Sequence, residues 1–440
     1  MTRTSGAWER LSDDARSAMI ECGVQSWAGI YDGVATKNKQ WRPLRPPVMT
    51  HEEYGEITDL TARLAELVLR ACQRRAATVG ELRERLGVPA GQIEFLDESA
   101  PITEDLVVAV RPDVLLSGGV PRFVECNVDS ALGGAFDSDG IARRFLAAYT
   151  EHNVPVSLSV PESAVDTRFH AMRDQLGLDE GATSVVLFHM GSDYPDTQDG
   201  HTLVKLLEPV RDRGREAGLD VVVCPLEWLT LDNGRLRAGD TVLDSVLRMF
   251  IPQDVPHGAG YDALVTALDT GTVRMFTPTA TWLLANKATF AWLWEDVDSL
   301  STVDAEMVRK HVPYTELLTG VDRPREDLVL KPTGTYGGSG VVVGREATQE
   351  AWDEALRAAV EVGGHIVQEY VPVDRLPMHF VEIATGDIRE ADVPYCVAPY
   401  LFGGRAAGAY LRFAVPDSTS GSVVNLGQGA LTSGLLLMDG

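Results

Sequence analysis

The sequence predicts a mixed α/β protein with α+β segments: a helical N-terminal region, an alternating middle and a C-terminal third of hairpins. Three observations predict it. Residues 53–86 repeat apolar residues at helical spacing and stop at Gly87. Strand-like runs at 106–110, 122–126, 184–189 and 220–224 alternate with helical segments such as 141–150 and 202–217. From residue 328 onward the runs 328–344, 366–371 and 393–415 read as hairpins.

Between these landmarks, "LTLDNGRL" at 229–236 carries the Asn-Gly chemistry of a tight hairpin turn. Residues 281–298 read as one helix and 303–311 as a short one. The 440 residues suit two or three domains, expected as a helical region over 1–100, an α/β core over 101–275 and a closing unit over 276–440.

Apolar residues at 45% and charged residues at 23% predict full cores. A formal charge of -25 argues against nucleic acid as a partner, since affinity for phosphate backbones comes from clustered Lys and Arg. It permits a cationic or amine-bearing substrate, and solubility accounts for it equally well. Five scattered cysteines without a CxxC spacing predict free thiols in a reducing cytosol, with no zinc site or disulfide framework. No window reads as a signal or a membrane span, so a cytoplasmic protein without membrane contact is expected. A homodimer is allowed, but nothing in the sequence requires it.

The chemistry starts at "LVLKPTGTYGGSGVVVG", 328–344. The P-loop and the dinucleotide fingerprint both need a helix after the glycines, and here a strand follows. A kinase-type loop has its Lys on the next strand, whereas Lys331 precedes the glycines. The order Lys, glycine loop, strand predicts a hairpin lid over a polyphosphate. Gly334, Gly337, Gly338 and Gly340 would allow positive φ, so that amides around Ser339 converge on phosphate oxygens. A plain surface hairpin is the alternative.

The second constellation is "VRPDVLLSGGVPRFVECNVDSALGG", 110–134. Glu125 and Asn127 sit two apart on one strand and therefore share a face. With Asp113 they supply the oxygen donors that a hard cation such as Mg²⁺ takes. Arg111 would reach the same face and stabilise a transferred phosphoryl group. An ordinary polar strand edge fits the same spacing. Lys287 in "LLANKATFAWLWE" is either a snorkelling lysine or a second cation over phosphates. In "HIVQEYVP", 365–372, the backbone of a hinge at Gln368, Glu369, Tyr370 and Val371 would meet an adenine edge, unless it is a plain connector.

His189 and Asp193 in a loop after a strand are candidate substrate contacts or an ordinary polar loop. Asp137 and Asp139 read as an N-cap pair, His311 as a helix-end residue and Cys126 as core.

Taken in order, these stretches resemble the circularly permuted ATP-grasp ligases, in particular the synthetase domain of the glutathionylspermidine synthetase family. The metal element "RPD…ECNVD", then "ANKATFAWLWE", then "RKHVPYTELL", then the lid and the hinge follow the family's sequence of motifs. "YLFGGRAAGAYLRFAV" and "VVNLGQGA" resemble its closing strands, with Arg412 a second phosphate arginine. The likeness covers roughly 105–135 and 280–430. It lacks an attached amidase half, and Tyr314 stands where the family more often has Trp. Residues 150–280 align with nothing familiar.

The resemblance implies a circularly permuted ATP-grasp fold, with Asp113, Glu125 and Asn127 as magnesium ligands. Lys287, Lys331, Gly337, Gly338, Ser339 and Gly340 would hold ATP phosphates, Gln368, Glu369, Tyr370 and Val371 the base, and Arg111 and Arg412 the transferred phosphoryl group. The implied activity is ADP-forming ligation of a small carboxylate (amino acid or peptide) to an amine such as an amino acid or polyamine, through an acyl phosphate. A small-molecule kinase and a non-catalytic nucleotide-binding module are the rival readings.

Overall fold

The computed structural model describes residues 6–34, 38–190, 200–255, 257–320, 323–416 and 429–439. Its central element is the long strand Ile388–Phe402. The early part of this strand pairs antiparallel with Arg375–Glu382, and the later part with Arg405–Phe413 and with Ala109–Ser117. Ala109–Ser117 continues into a hairpin with Val120–Val128. The 109–128 hairpin, these three C-terminal strands, Leu431–Ser433 and the N-terminal Trp41–Pro43 therefore form one seven-stranded sheet.

Helix His51–Gln73 packs against that sheet. It is started by a capping box, in which Thr50 accepts from the Glu53 amide at 3.1 Å and Glu53 accepts from the Thr50 amide at 2.9 Å. Leu64, Val68 and Cys72 on its inner face meet Val110, Val114, Phe123 and Val128 of the hairpin in one core. The helix predicted over 53–86 is thus two. Thr78 offers its oxygen to the Glu81 amide and starts a separate helix, Val79–Arg85, because a Thr side chain there competes with helix continuation. The predicted strand at 106–110 is likewise displaced: Glu104–Val107 is a 3₁₀ turn, and the strand runs 109–117. Pro112 is tolerated inside that strand beside a register shift at Asp113/Val114.

Residues 183–276 build a separate four-stranded parallel sheet in the order 274–276, 245–248, 183–188, 220–225. Helix Ala164–Leu176 covers one face and Ala259–Asp269 the other. The Asn-Gly hairpin forms as predicted, with Asn233 at φ 51° and Gly234 at φ 74°.

A third, antiparallel sheet joins Thr315–Leu317, His365–Glu369, Leu328–Pro332 and Val342–Val343, backed by helix Gln349–Val362. The predicted 281–298 helix is broken into Thr281–Leu284 and Ala288–Glu295. Asn286 causes the break, since its Oδ1 accepts from the Ala288 amide at 2.9 Å and starts the second helix. Lys287 is set at that junction and not along a helix face.

Candidate functional site

The hairpin 109–128 divides its side chains cleanly. Val110, Val114, Phe123, Cys126 and Val128 enter the core beneath helix His51–Gln73. Asp113 lies opposite Glu125 and Arg111 opposite Asn127, so all four point to the other face. The shift at Asp113/Val114 is a bulge at the site, a device that re-aims a side chain where a ladder would otherwise run straight.

Above that face hangs the glycine loop. The predicted hairpin is present: Leu328–Pro332 and Val342–Val343 pair antiparallel on either side of the loop. Gly337, Gly338 and Gly340 have φ of 67°, 74° and 73°, whereas Gly334 does not use the left-handed region. Lys287 ties the loop down, its amide donating to the Thr333 carbonyl at 2.9 Å and its Nζ to the Thr335 carbonyl.

Between hairpin and loop is a cavity lined by Asp113, Glu125, Lys287, Lys331, Gly338 and Arg412, with Gln368 to Val371 along one wall. In a chain where acidic residues outnumber basic ones 64 to 39, three nearly buried cations converge here. Each has a partner. Arg412 pairs with Asp113 at 2.6 Å, Lys287 with Glu125 at 3.1 Å, and Lys331 Nζ donates to Gln368 Oε1 at 2.6 Å and to the Val124 carbonyl at 3.2 Å. Burial pushes the Lys331 ammonium down to about 8, with Glu125 opposing and Lys287 adding to the shift. Burial alone would raise the Asp113 carboxyl, but Arg412 and then Arg111 outweigh it and hold the group below its ordinary range.

A second lobe shares Glu125 and Thr335 with the first and is lined by Arg111, Asn127, Asp129, Trp282 and Asn286. Arg111 donates to the Gly133 carbonyl at 2.8 Å and stands over the Tyr410 ring at 5.3 Å. Asn127 donates through Nδ2 to the Arg111 carbonyl at 3.1 Å. Tyr336 of the loop closes the lobe by a hydrogen bond to Asp254.

The hinge is built as follows. Gln368 is 2% exposed, and besides accepting from Lys331 it donates to Thr315 at 3.0 Å. Glu369 pairs with Arg122 at 2.9 Å. The Tyr370 amide donates to the Asp327 carbonyl, while the Val371 amide has no acceptor among the described residues.

Most predicted site residues are therefore gathered around two connected lobes. Ser339 and Gly340 line neither: Ser339 is exposed, and its carbonyl accepts from Thr335 at 3.1 Å. Asp137 and Asp139 do not cap their own helix, because Gly134 is its N-cap. Asp139 instead accepts from Ser163 Oγ at 2.6 Å and from the Val165 amide at 3.2 Å, at the start of the next helix. His189 meets Glu227 at 2.6 Å, and Asp193 falls outside the described residues. His311 ends its helix as expected, buried and bonded to the Pro121 carbonyl. All five cysteines are free and buried; Cys126 faces away from Glu125, and burial pushes its thiol up to about 12. Missed in the sequence were Asp129, Trp282 and Tyr336, although each lies within a few residues of a recognised motif.

Solved structures carry the comparison furthest. The chain is similar to a glutathione synthetase-like effector from Globodera pallida, with a TM-score of 0.61 and 13% identity over 99% of this chain and 100% of that one. The fold is therefore glutathione synthetase-like. A candidate gamma-glutamylcysteine synthetase from Methylobacillus flagellatus KT aligns over 88% of this chain and 89% of its own, with 11% identity and a TM-score of 0.41. No family profile and no curated protein matches the chain. Among the described residues no helix is long and apolar enough to cross a membrane.

Proposed function

We propose that the protein is an ADP-forming carboxylate–amine ligase with a circularly permuted ATP-grasp architecture. One observation carries this reading: Lys287, Lys331 and Arg412 converge with Asp113 and Glu125 in a single cavity beneath a left-handed glycine loop. That set suits a polyphosphate, and its members are cations, oxygen donors and backbone amides, with no activated nucleophile. Phosphoryl transfer needs this kind of site, since its catalysis is mostly positioning and charge stabilisation.

In this reading the Val371 amide and the Glu369–Tyr370 backbone take the adenine edge, and Lys331, Lys287 and the amides around Gly338 take the phosphates. The metal site passes a test of donor chemistry. Asp113, Glu125 and Asn127 present two carboxylates and one amide on one face of the hairpin, and Asp113 Oδ1 is buried with an ion pair but no hydrogen bond of good geometry. Among the described residues no three His, Cys, Asp or Glu side chains form a metal cluster, so phosphate and water oxygens would complete the shell. Magnesium bound there would supply positive charge against the oxygens of the transferred group.

Arg111 and Arg412 then flank the reacting centre from either lobe. A substrate carboxylate in the second lobe attacks the γ-phosphorus and ADP leaves. The amine next attacks the acyl carbon, and phosphate and a proton depart as the amide forms. The lid excludes water from the acyl phosphate while the amine enters.

The test is release of ADP and phosphate from Mg-ATP with pooled carboxylic acids and hydroxylamine as a general amine. A hydroxamate detected by mass spectrometry establishes the acyl phosphate and identifies the acid. A stable phosphate ester in its place makes the protein a kinase, and AMP formation defeats the assignment.

A further inference from the structure

Beside the second lobe, and sharing Leu132 with it, lies another cavity of about 100 Å³. It is enclosed between helices Ala135–Glu151 and Ala164–Leu176 and the parallel strands Thr183–Phe188 and Ser245–Arg248. Its wall is mostly apolar, with Phe169, Val186, Val210 and Leu247 prominent. Two charged groups interrupt that wall, and the reaction above uses neither.

The first is Arg168, which is 5% exposed. Its Nη2 donates to the Leu132 carbonyl at 2.8 Å, its Nη1 meets Met249 Sδ at 3.3 Å, its guanidinium stands over the Phe402 ring at 4.9 Å, and its Nε has no hydrogen-bond partner. Among the described residues no carboxylate pairs with it. Burial lowers its guanidinium to about 10, with Tyr400, Asp139 and Asp129 offsetting only part of that. A buried guanidinium left in that state is costly unless an anion completes it. At the same end the 17-residue helix Ala135–Glu151 begins. The amides of Ala135, Phe136 and Asp137 bond to no acceptor among the described residues, and Gly134 offers no side-chain cap. Such amides and the helix dipole favour negative charge.

The second group is Asp137, whose carboxylate has no hydrogen bond or ion pair among the described residues. Burial raises it to about 6, and Arg144 offsets only part of that. An unpaired cation and an unpaired carboxylate in one apolar chamber match a zwitterion with an apolar body. Phosphate would suit the arginine but would leave the apolar wall and the carboxylate unanswered.

We propose that this cavity binds an apolar α-amino acid, its carboxylate on Arg168 and the first-turn amides, its ammonium on Asp137 and its side chain against Phe169, Val186 and Leu247. The site adjoins the reaction cavity through Leu132, so it gives the ligase reading a neighbouring chamber without depending on it.

Isothermal titration of the full chain, with no nucleotide present, tests the proposal. The probes are L-leucine, L-methionine and L-phenylalanine, with 4-methylpentanoate and 3-methylbutylamine as single-charge analogues of leucine. At least one amino acid should bind, and loss of either charge from leucine should weaken binding about tenfold or more. Arg168→Lys should weaken leucine and 4-methylpentanoate together by about tenfold, since a lysine lacks the guanidinium fork. Asp137→Asn should erase the preference for leucine over 4-methylpentanoate. No heat with any of the three amino acids up to about 10 mM would overturn the proposal, as would equal affinity for leucine and both of its analogues. The analogue series needs no substitution, so it decides the matter even where a variant at buried Arg168 fails to fold. Because ATP is absent, failure here leaves the hydroxamate result untouched, and failure there leaves this one untouched.

Discussion

Lys331 sits where its charge is costly and useful at once. Its Nζ is 2.6 Å from Gln368 Oε1, and the side chain is 9% exposed. With its folded value near 8 and its usual value 10.5, the folded protein gives up this proton more readily than the unfolded chain does. Where the unfolded state binds more protons, stability rises with pH, so this group adds stability between about pH 8 and pH 10.5. Nucleotide affinity should move the other way. Phosphates need the ammonium, so calorimetric MgATP affinity should fall as pH rises through about 8, and Lys331→Met should abolish that slope. The same variant should lose about 10²–10³ in turnover while its thermal midpoint holds or rises, because a buried charge is removed. Glu125→Ala differs in kind. It strips Lys287, 6% exposed, of its carboxylate, so both turnover and stability should fall, the latter by about 1–3 kcal/mol. A thermal midpoint equal to wild type in Glu125→Ala would show that the pair has no structural weight. That Glu125 and Asn127 share a face was legible because strand alternation fixes it, and Lys331 stood out because it precedes the glycine loop. The pairings of Asp113 and Lys331 were not, because Arg412 and Gln368 reach them only across the folded sheets.

At the level of elements, the glycine loop was the most readable feature and the helices the least. A Lys, a left-handed loop and a second strand are local in sequence, and local chemistry decides them. The helices over 53–86 and 281–298 were misjudged at single polar residues: Thr78 and Asn286 each offer a side-chain oxygen that starts a new helix. The loop also separates two kinds of glycine requirement. Gly337 has φ 67° with open space where a Cβ would stand, whereas at Gly340, φ 73°, a Cβ would come within 2.7 Å of Pro332. Left-handed strain costs an alanine about 1–2 kcal/mol at either place, and Gly340 adds a steric clash against a rigid ring. Gly340→Ala should therefore raise the KM for ATP by about tenfold or more, and Gly337→Ala by less. The thermal midpoint should fall slightly in both and further in Gly340→Ala, since the folded state bears the strain. An equal effect at both positions would mean that the Pro332 contact does not govern the loop's shape.

For the molecule as a whole, the parallel unit of residues 183–276 had no recognisable motif, and its relation to the site became visible only in three dimensions. It is tied to the candidate site by Arg248, 0% exposed at the end of a parallel strand, whose Nη2 pairs at 2.8 Å with Asp129 Oδ2. Asp129 directly follows the strand that carries Glu125 and Asn127, and its other oxygen accepts from the Ala131 amide at 2.6 Å. One carboxylate thus fixes the end of the site hairpin and the entry to the helix at Ala135, while the arginine brings the parallel sheet to both. Breaking one side of such a pair leaves a buried charge unanswered, at a cost of about 3–5 kcal/mol. Asp129→Asn should show that loss in urea denaturation, together with reduced turnover, because the second lobe is assembled from both units. Replacing both partners, Asp129→Leu with Arg248→Met, should recover most of the stability, since no orphaned charge remains, but not the turnover. That split is the informative result: recovered stability without activity means that the pair positions the two units for chemistry, whereas recovery of both would reduce it to a packing contact.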